Sequence, residues 1–195
     1  MILDAGCGNR CMWKEKSVDG IIYVDVETKL QRKPTIFADN RCLPFKKESF
    51  DTIFFDPPHA WGMESSMFYS FPNREMQKAK YTTLGDRGIT SYYGVERYKT
   101  RQALVAYIYR AEKELYRVLK PDGILWLRWT NLKTMDEQHA LNIFNNWTIC
   151  LKHEIGSSKQ TLSDCGSYWF MLTKKPLLFI QPELCIASVD VEVLV

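Results

Sequence analysis

The sequence lacks the signals of disulfide-rich, metal-binding and membrane proteins. Its six cysteines form no C-x-x-C pair and no signal peptide precedes them, so we expect reduced thiols in a cytoplasmic protein. The three histidines are scattered and match no Cys/His ligand spacing, which predicts no metal site. No apolar run approaches the roughly 20 residues that a membrane span needs. The sequence therefore predicts a globular protein without a metal ion or a membrane segment.

Neither sign of charge dominates the chain. Its 26 Lys and Arg stand against 23 Asp and Glu, and the net charge of +3 permits an anionic partner without requiring one. With 195 residues, 46% of them hydrophobic, the chain can bury one sizeable core. We therefore predict one domain over residues 1–175 and a tail over 176–195, whose last residues alternate apolar and acidic like an edge strand.

Short apolar runs predict the strands, and the first four end on or beside an acidic residue. The first breaks at paired glycines and is predicted to feed a tight turn into a helix. The last two leave no room for a helix between them, which predicts an antiparallel hairpin. The predicted strands cover residues 2–5, 21–26, 35–39, 50–55, 123–129, 147–151 and 168–173.

Two further helices are predicted from spacing and capping. Thr134 and Glu137 fit a capping box for a helix that runs to about Phe144. Between the fourth and fifth strands, apolar residues recur at helical spacing at Leu104, Ile108, Ala111, Leu115 and Leu119. Strands that alternate with helices imply an α/β fold: a Rossmann-like, doubly wound, mostly parallel seven-stranded sheet with an antiparallel C-terminal hairpin.

The acidic strand ends predict a nucleoside-containing cofactor. Asp4 is followed by Gly6 and Gly8, but Arg10 stands where a third glycine would let a pyrophosphate approach, so a diphosphate ligand is disfavoured. Asp25, about twenty residues later, suits a ribose diol, and Asp39 suits an adenine amino group. A cofactor with adenine, ribose and a cationic, amino-acid-like end, bound without a phosphate site, is S-adenosylmethionine.

The order of these motifs resembles class I S-adenosylmethionine-dependent methyltransferases over residues 1 to about 130. The segments that carry the resemblance are D-A-G-C-G, Y-V-D-V, A-D-N-R-C-L-P-F, F-D-T-I-F-F-D-P-P-H and R-V-L-K-P-D-G-I-L-W-L. Through about residue 175 the chain is also similar to small methylase-like proteins of phages and other mobile elements. The resemblance implies cofactor contacts from Asp4, Ala5, Gly6, Cys7, Gly8, Asp25, Val26, Asp39, Asn40 and Asp56.

The segment Asp56-Pro57-Pro58-His59, called the DPPH box below, resembles the (D/N/S)-P-P-(aromatic) motif of methyltransferases that act on amino groups conjugated to a ring. Such a nitrogen is a poor nucleophile because its lone pair is delocalised. The Asp56 carboxylate and the Pro57 carbonyl would accept its N–H groups and favour a pyramidal nitrogen, so catalysis is mostly positioning and electrostatics. All four residues are predicted to be catalytic, and His59 stands where a larger aromatic ring is commoner.

An insertion over residues 60–100 is predicted to form a substrate lid or recognition loop, because a compact domain needs far fewer residues there. Its aromatic and basic residues suit stacking on bases and contact with phosphates, the latter from Arg74, Lys78 or Arg87. The predicted substrate-binding residues are His59, Trp61, Tyr92, Tyr93, Trp129 and Asn131.

The sequence leaves several functions open. The favoured one is methylation of an exocyclic base amine of nucleic acid, with DNA preferred over RNA and adenine N6 or cytosine N4 as the target. RNA amines, including guanine N2, are the nearest alternative. A methyltransferase-like subunit that binds nucleic acid without reacting and a small-molecule methyltransferase are two others.

Overall fold

The computed structural model describes residues 1–58, 61, 97–131, 135–155 and 166–174. Most of the predicted insertion and the whole tail over 176–195 lie outside these ranges, so their predicted roles stay predictions. The described helices are α1 (Arg101–Val118) and α2 (Glu137–Leu141). The strands are β1 (Ile2–Ala5), β2 (Ile21–Asp25), β3 (Ile36–Phe37), β4 (Phe50–Phe55), β5 (Leu119–Thr130), β6 (Thr148–Ile155) and β7 (Ser167–Thr173).

The strands form a seven-stranded sheet in the order β3-β2-β1-β4-β5-β7-β6. Strands β1 to β5 pair in parallel, and β7 runs antiparallel to both of its neighbours. The predicted α/β class, the mostly parallel sheet and the antiparallel C-terminal pair are confirmed. Because the strand order reverses between β1 and β4, the carboxyl ends of these two strands flank the place where open α/β sheets bind ligands.

One face of the sheet packs against α1. The helix buries the predicted residues Leu104, Ile108, Ala111 and Leu115, which join buried strand residues in the main core. The prediction that Leu119 continues this helix is wrong. Leu119 is already extended and pairs with Phe50, so β5 begins four residues before the predicted start. The proline at 121 prevents the helix from continuing much further, because proline disfavours helical backbone at the residue before it, Lys120.

The opposite face carries an aromatic cluster that includes Trp13, Phe54, Trp126 and Trp169, all at most 9% exposed. Trp13 and Phe54 meet edge to face with ring centroids 4.9 Å apart. Trp13 belongs to the β1–β2 connection, residues 6–20, so this connection covers the sheet without a helix.

The helix predicted after the glycine loop is therefore wrong. Gly6, Gly8 and Arg10 have φ values of +96°, +50° and +59°, outside the right-handed helical region. Because helix nucleation needs several consecutive residues in helical geometry, no helix can start there. Two turns replace it, with Arg10 N donating to Cys7 O (2.7 Å) and Trp13 N donating to Arg10 O (3.1 Å).

The second helix and the third strand are shorter than predicted. Helix α2 begins at Glu137 with Asp136 as N-cap, whose carboxylate accepts from His139 N at 3.1 Å. The helix thus begins later than predicted, and aspartate is at least as good an N-cap as threonine. The predicted cap, Thr134, lies outside the described residues. Strand β3 ends at Phe37, so Asp39 lies two residues beyond it. No helix in the described part of the chain has the length and apolar character to cross a membrane.

Helix α1 is fastened to the β3–β4 connection by two charged side chains. Glu114 accepts from Leu43 N at 2.8 Å, and Arg117 donates to Phe45 O at 2.7 Å and Leu43 O at 3.0 Å. The two side chains also pair with each other, which lowers the pKa of Glu114 and raises the pKa of Arg117. This link holds the connection that leads into β4.

We expect Arg117→Ala to lower the free energy of unfolding by about 2 kcal/mol, because it leaves backbone carbonyls and Glu114 without their charged partner. Urea denaturation measures the change. Arg110, an exposed arginine of the same helix, is the matched control, and Arg110→Ala should change stability by less than about 0.5 kcal/mol. Equal effects of the two substitutions would contradict the assigned role of Arg117.

Candidate active site

The register of the parallel strands brings the predicted motifs to one edge of the sheet. Ala5 pairs with Val24 and with Phe55, and Phe55 pairs with Leu127. The residue after each of these four, Gly6, Asp25, Asp56 and Arg128, therefore lies at the same carboxyl edge. A glycine loop, two carboxylates and a guanidinium are thus neighbours.

The backbone N–H groups of the glycine loop are already engaged. Gly6 N and Cys7 N donate to Val24 O at 2.8 and 3.0 Å, and Gly8 N donates to Asp25 Oδ2 at 2.8 Å. A phosphate-binding loop presents such groups to the ligand. The structure therefore agrees with the expectation that this loop does not hold a diphosphate. Ala5 and Cys7 are buried, and burial raises the pKa of the Cys7 thiol.

Gly6 brings the DPPH box close to Asn40. A Cβ at Gly6 would stand 3.5 Å from the Asp56 carbonyl oxygen and 3.6 Å from Asn40 Nδ2. Any larger side chain would fill the space between them, and the φ of +96° strains every residue except glycine. The glycine thus keeps a small space open between the loop and the box.

Asp25 is held in a fixed orientation at the end of β2. Its Oδ2 accepts from Gly8 N and its Oδ1 accepts from Glu27 N, both at 2.8 Å. Each carboxylate oxygen accepts two hydrogen bonds, so both retain capacity for a ligand hydroxyl. The side chain is half-buried, and Val26 beyond it is exposed. Asp25 is thereby held in a fixed orientation with acceptor capacity to spare.

Asn40 carries a buried polar atom that lacks a partner. The residue is 6% exposed, its Nδ2 donates to the Tyr107 hydroxyl at 3.2 Å, and its Oδ1 makes no hydrogen bond within the described residues. Tyr107 packs on Tyr98 with ring centroids 5.0 Å apart. Burial raises the pKa of both tyrosines, that of Tyr98 to about 12, so their hydroxyls stay protonated.

Tyr107 was not predicted as a site residue. Its sequence signal is a polar-tipped ring on the apolar face of α1, three residues after Leu104. The signal is weak, because a tyrosine at that spacing is usually part of the core.

Asp39 does not face this space as an unpaired acid. Arg41 Nη2 donates to Asp39 Oδ2 at 2.6 Å and Arg41 Nε donates to Asp39 Oδ1 at 3.0 Å, which lowers the pKa of Asp39. The carboxylate predicted for an adenine amino group is therefore engaged by the residue two positions on. Asn40 is the member of the pair that reaches Gly6.

Arg10 fastens two connections and does not extend the glycine loop toward a ligand. Its guanidinium donates to Lys16 O at 2.7 Å and to Lys33 O at 2.8 Å, and it lies 3.8 Å above the Tyr23 ring. These contacts explain why an arginine stands in place of the third glycine: it holds the β1–β2 and β2–β3 connections together.

Asp4 lies beneath the loop rather than in the open space. It has 0% exposure, and its Oδ2 accepts from Trp13 Nε1 at 2.7 Å, while its Oδ1 has no partner among the described residues. Burial raises the pKa of Asp4 to about 7, the Trp13 hydrogen bond opposes this rise, and the charges of Asp56 and Asp25 add to it. Asp4 therefore anchors Trp13, and its raised pKa leaves the carboxyl partly protonated near neutral pH.

Asp4 should make the stability of the protein depend on pH. Its carboxyl has an ordinary pKa of 3.8 and a pKa of about 7 in the folded protein, so the folded state binds the extra proton between these values. The unfolding free energy should fall as pH rises through this window, by up to about 4 kcal/mol. We expect Asp4→Asn to flatten that slope, whereas Asn at the exposed Asp19 should leave it unchanged. Urea midpoints from pH 4 to 8 measure it; an unchanged slope in Asp4→Asn would contradict the assignment.

The DPPH box follows β4 directly. Asp56 and Pro58 are half-buried and Pro57 is buried, while His59 lies outside the described residues. Arg128 Nη1 donates to Asp56 Oδ2 at 3.1 Å. Arg128 was not predicted, and its only sequence signal is a charged residue inside the apolar run of β5.

The predicted substrate residues are only partly brought together. Trp129 has 0% exposure and belongs to the main core, so its prediction as a substrate contact is wrong: an odd position on β5 faces α1. Trp61 is also buried in that core. Asn131 Nδ2 donates to Glu137 Oε2 at 2.7 Å. Tyr92 and Tyr93, like Arg74, Lys78 and Arg87, lie outside the described residues.

Within the described part of the chain no group of His, Cys, Asp and Glu could hold a metal ion.

Comparison with known proteins supports the fold and does not assign a family. No protein-family model and no curated protein sequence matches the chain, so the resemblance to phage methylase-like proteins stays a prediction. The PH0226 protein from Pyrococcus horikoshii is similar in structure, with 15% identity, a TM-score of 0.54, and 89% of this chain and 81% of that chain covered.

Two other solved structures share the fold. An S-adenosylmethionine-dependent methyltransferase from Leishmania major has 9% identity and a TM-score of 0.50, with 88% of this chain and 63% of that chain covered. The [4+2]-cyclase SpnF has 14% identity and a TM-score of 0.50, with 89% and 74% covered. The chain thus has the seven-stranded fold found in S-adenosylmethionine-dependent methyltransferases, and because a cyclase has it too, activity must be argued from the site.

Proposed function

We propose that the chain is an S-adenosylmethionine-dependent methyltransferase that acts on an exocyclic base amine of nucleic acid, with DNA adenine N6 as the favoured target and cytosine N4 as the second. The observation that carries the proposal is the contact at Gly6. There a Cβ added to the glycine loop would be in van der Waals contact with the backbone of the DPPH box and with the buried Asn40 amide, so the box, the amide and the loop lie close together. A cofactor bound on this loop would lie beside Asp56.

The residues present fit S-adenosylmethionine. Asp25 retains acceptor capacity for a ribose diol, and the unpartnered Asn40 Oδ1 suits an adenine amino group. The engaged loop amides disfavour a diphosphate. The carboxylates of Asp4, Asp25 and Asp56 lie near enough to influence one another, and a cationic ligand relieves their repulsion. When bound, S-adenosylmethionine supplies an electrophilic methyl group on a sulfonium.

The DPPH box would then prepare the amine for attack. Asp56 Oδ1, which has no hydrogen-bond partner among the described residues, would accept one N–H of the amine, and the Pro57 carbonyl would accept the other. Both contacts favour a pyramidal nitrogen with its lone pair directed at the methyl group. As the new nitrogen–carbon bond formed and the bond from the methyl group to the sulfonium broke, S-adenosylhomocysteine would leave, the nitrogen would become positively charged, and the Asp56 carboxylate would stabilise that charge. The nitrogen would then release one proton to water.

Nucleic acid is proposed as the substrate because the box resembles base-amine methyltransferases and because the 60–100 insertion is rich in aromatic and basic residues. A base in a duplex would have to be flipped out, so single strands should react more readily. The box recognises an amine and not a sugar, so RNA amines, adenine N6 or guanine N2, are the alternative.

A methyl-incorporation assay tests the proposal. The protein is incubated with cofactor carrying a labelled methyl group and with single-stranded DNA, duplex DNA or RNA of matched sequence. We expect label in acid-precipitable polymer, most in single-stranded DNA. Label in RNA alone would favour the alternative. Cofactor binding without label in any polymer would instead indicate a non-catalytic subunit or a small-molecule enzyme, and would overturn the proposal.

A further inference from the structure

We propose that Arg128 is a positioning residue for Asp56: it holds one oxygen of the carboxylate, so that Asp56 acts as a fixed hydrogen-bond acceptor for the amine. This inference rests on the proposed amine methyl transfer. It assigns a role to a residue outside the DPPH box.

The register of β4 and β5 places the two side chains together. Phe55 pairs with Leu127, and both are fully buried in the main core. Side chains alternate along a strand, so Asp56 and Arg128, one residue further on, point to the other face. Their contact is 3.1 Å between Arg128 Nη1 and Asp56 Oδ2, with 35% and 29% of the side chains exposed.

Arg128 differs from two other arginines of the described residues. Arg10 and Arg117 each donate to two backbone carbonyls and so fasten connections. Among the described residues, Arg128 has one polar partner, the Asp56 carboxylate. Within this part of the chain its guanidinium thus serves a single carboxylate, which fits a role at Asp56.

Asp56 lies among other acidic residues at this end of the sheet. Asp4 is on the neighbouring strand β1 and Asp25 ends β2, and the charges of Asp56 and Asp25 both act on Asp4. Among the described residues Arg128 is the cation in contact with Asp56. This charge-assisted contact holds the Asp56 carboxylate in place.

The contact also fixes which oxygen faces the substrate. Because Arg128 occupies Oδ2, Oδ1 is left to accept the N–H of the amine. The nitrogen loses its proton to water after the nitrogen–carbon bond has formed. Arg128 thus fixes the orientation of the Asp56 carboxylate.

Steady-state kinetics of Arg128 variants test the inference. We expect Arg128→Met to lower kcat by roughly 10- to 100-fold with less than a threefold change in the KM for cofactor, because orientation is lost and binding is not. Arg128→Lys should recover part of kcat, since it restores the charge without the planar fork. The control is Lys120→Met. Lys120 pairs with Asp51 across the same two strands but at their amino ends, away from the site, and its loss should leave kcat unchanged.

A double-mutant cycle distinguishes action through Asp56 from a general structural effect. In an Asp56→Asn background, Arg128→Met should reduce kcat by less than about twofold, because the ion pair is already gone. The inference would be overturned, while the proposed function stands, if the fold-reductions in kcat of the two single variants multiplied in the double variant. Full activity of Arg128→Met would also overturn it. If the wild-type protein transfers no methyl group, the proposed function fails. The contact can then still be tested by melting temperatures: the changes caused by Asp56→Asn and Arg128→Met should not add in the double variant.

Discussion

Replacing Asp56 with alanine is expected to lower kcat for methyl transfer by roughly 10²- to 10³-fold, the scale seen when one preorganised polar group is removed from a developing charge. The variant loses the oxygen that we propose accepts the amine N–H, and it leaves Arg128 without its partner among the described residues. Because Asp25 and Asn40 are untouched, cofactor affinity should fall far less than kcat. Single-turnover measurements with labelled cofactor and calorimetric titration separate the two quantities.

The same strand provides the control for this substitution. Asp51 is an exposed aspartate near the amino end of β4, at the opposite end of the strand from Asp56, where it pairs with Lys120. Asp51→Ala should leave kcat within about twofold of the wild-type value. Asp56→Asn should be intermediate, since the amide keeps an acceptor oxygen but not the charge. Full activity of Asp56→Ala would exclude the DPPH box as the reacting site.

Loss of cofactor binding is the second large effect, and we expect it from Asp25→Ala. Hydrogen bonds to a charged group contribute about 1.5–3 kcal/mol each, so losing the two proposed contacts to the ribose should raise the Kd for cofactor by at least roughly 10²-fold. The variant also releases the N–H groups of Gly8 and Glu27, which loosens the glycine loop. Isothermal titration calorimetry measures the change.

Two companions make this result specific. Asp19→Ala removes an exposed acid from the β1–β2 connection and should leave the Kd unchanged. Asp39→Ala tests the acid predicted to bind adenine. Because Arg41 engages that carboxylate, its loss should cost the cofactor less than about fivefold in affinity. An unchanged Kd in Asp25→Ala would show that the cofactor does not lie on the end of β2.

The sequence was informative where local chemistry determines structure. Acidic residues at the ends of apolar runs marked the carboxyl edge of a parallel sheet, and the prolines at 57 and 58 had to end β4 there. Helical spacing identified the buried face of α1. These features depend on residues that are close in sequence, so they can be predicted from a single sequence.

The errors and omissions share a different physical origin. The contact of Arg128 with Asp56 spans 72 residues and depends on the register of β4 with β5, which no local pattern encodes. The absence of a helix after Gly8 depends on the backbone conformation of Arg10 and on an indole that reaches back to Asp4. Trp129 was assigned to the wrong face because side chains alternate along a strand, so that neighbouring residues face the core and the site in turn.

The position of the transferred methyl group tests the central claim most directly. DNA treated with wild-type protein and cofactor is digested to nucleosides and analysed by mass spectrometry against authentic standards, with Asp56→Ala protein in parallel. We expect a methyl group on an exocyclic nitrogen, with N6-methyladenine as the favoured product and N4-methylcytosine as the second, and we expect neither in the variant sample. A methyl group on a ring carbon such as cytosine C5, or the same product from Asp56→Ala, would contradict it.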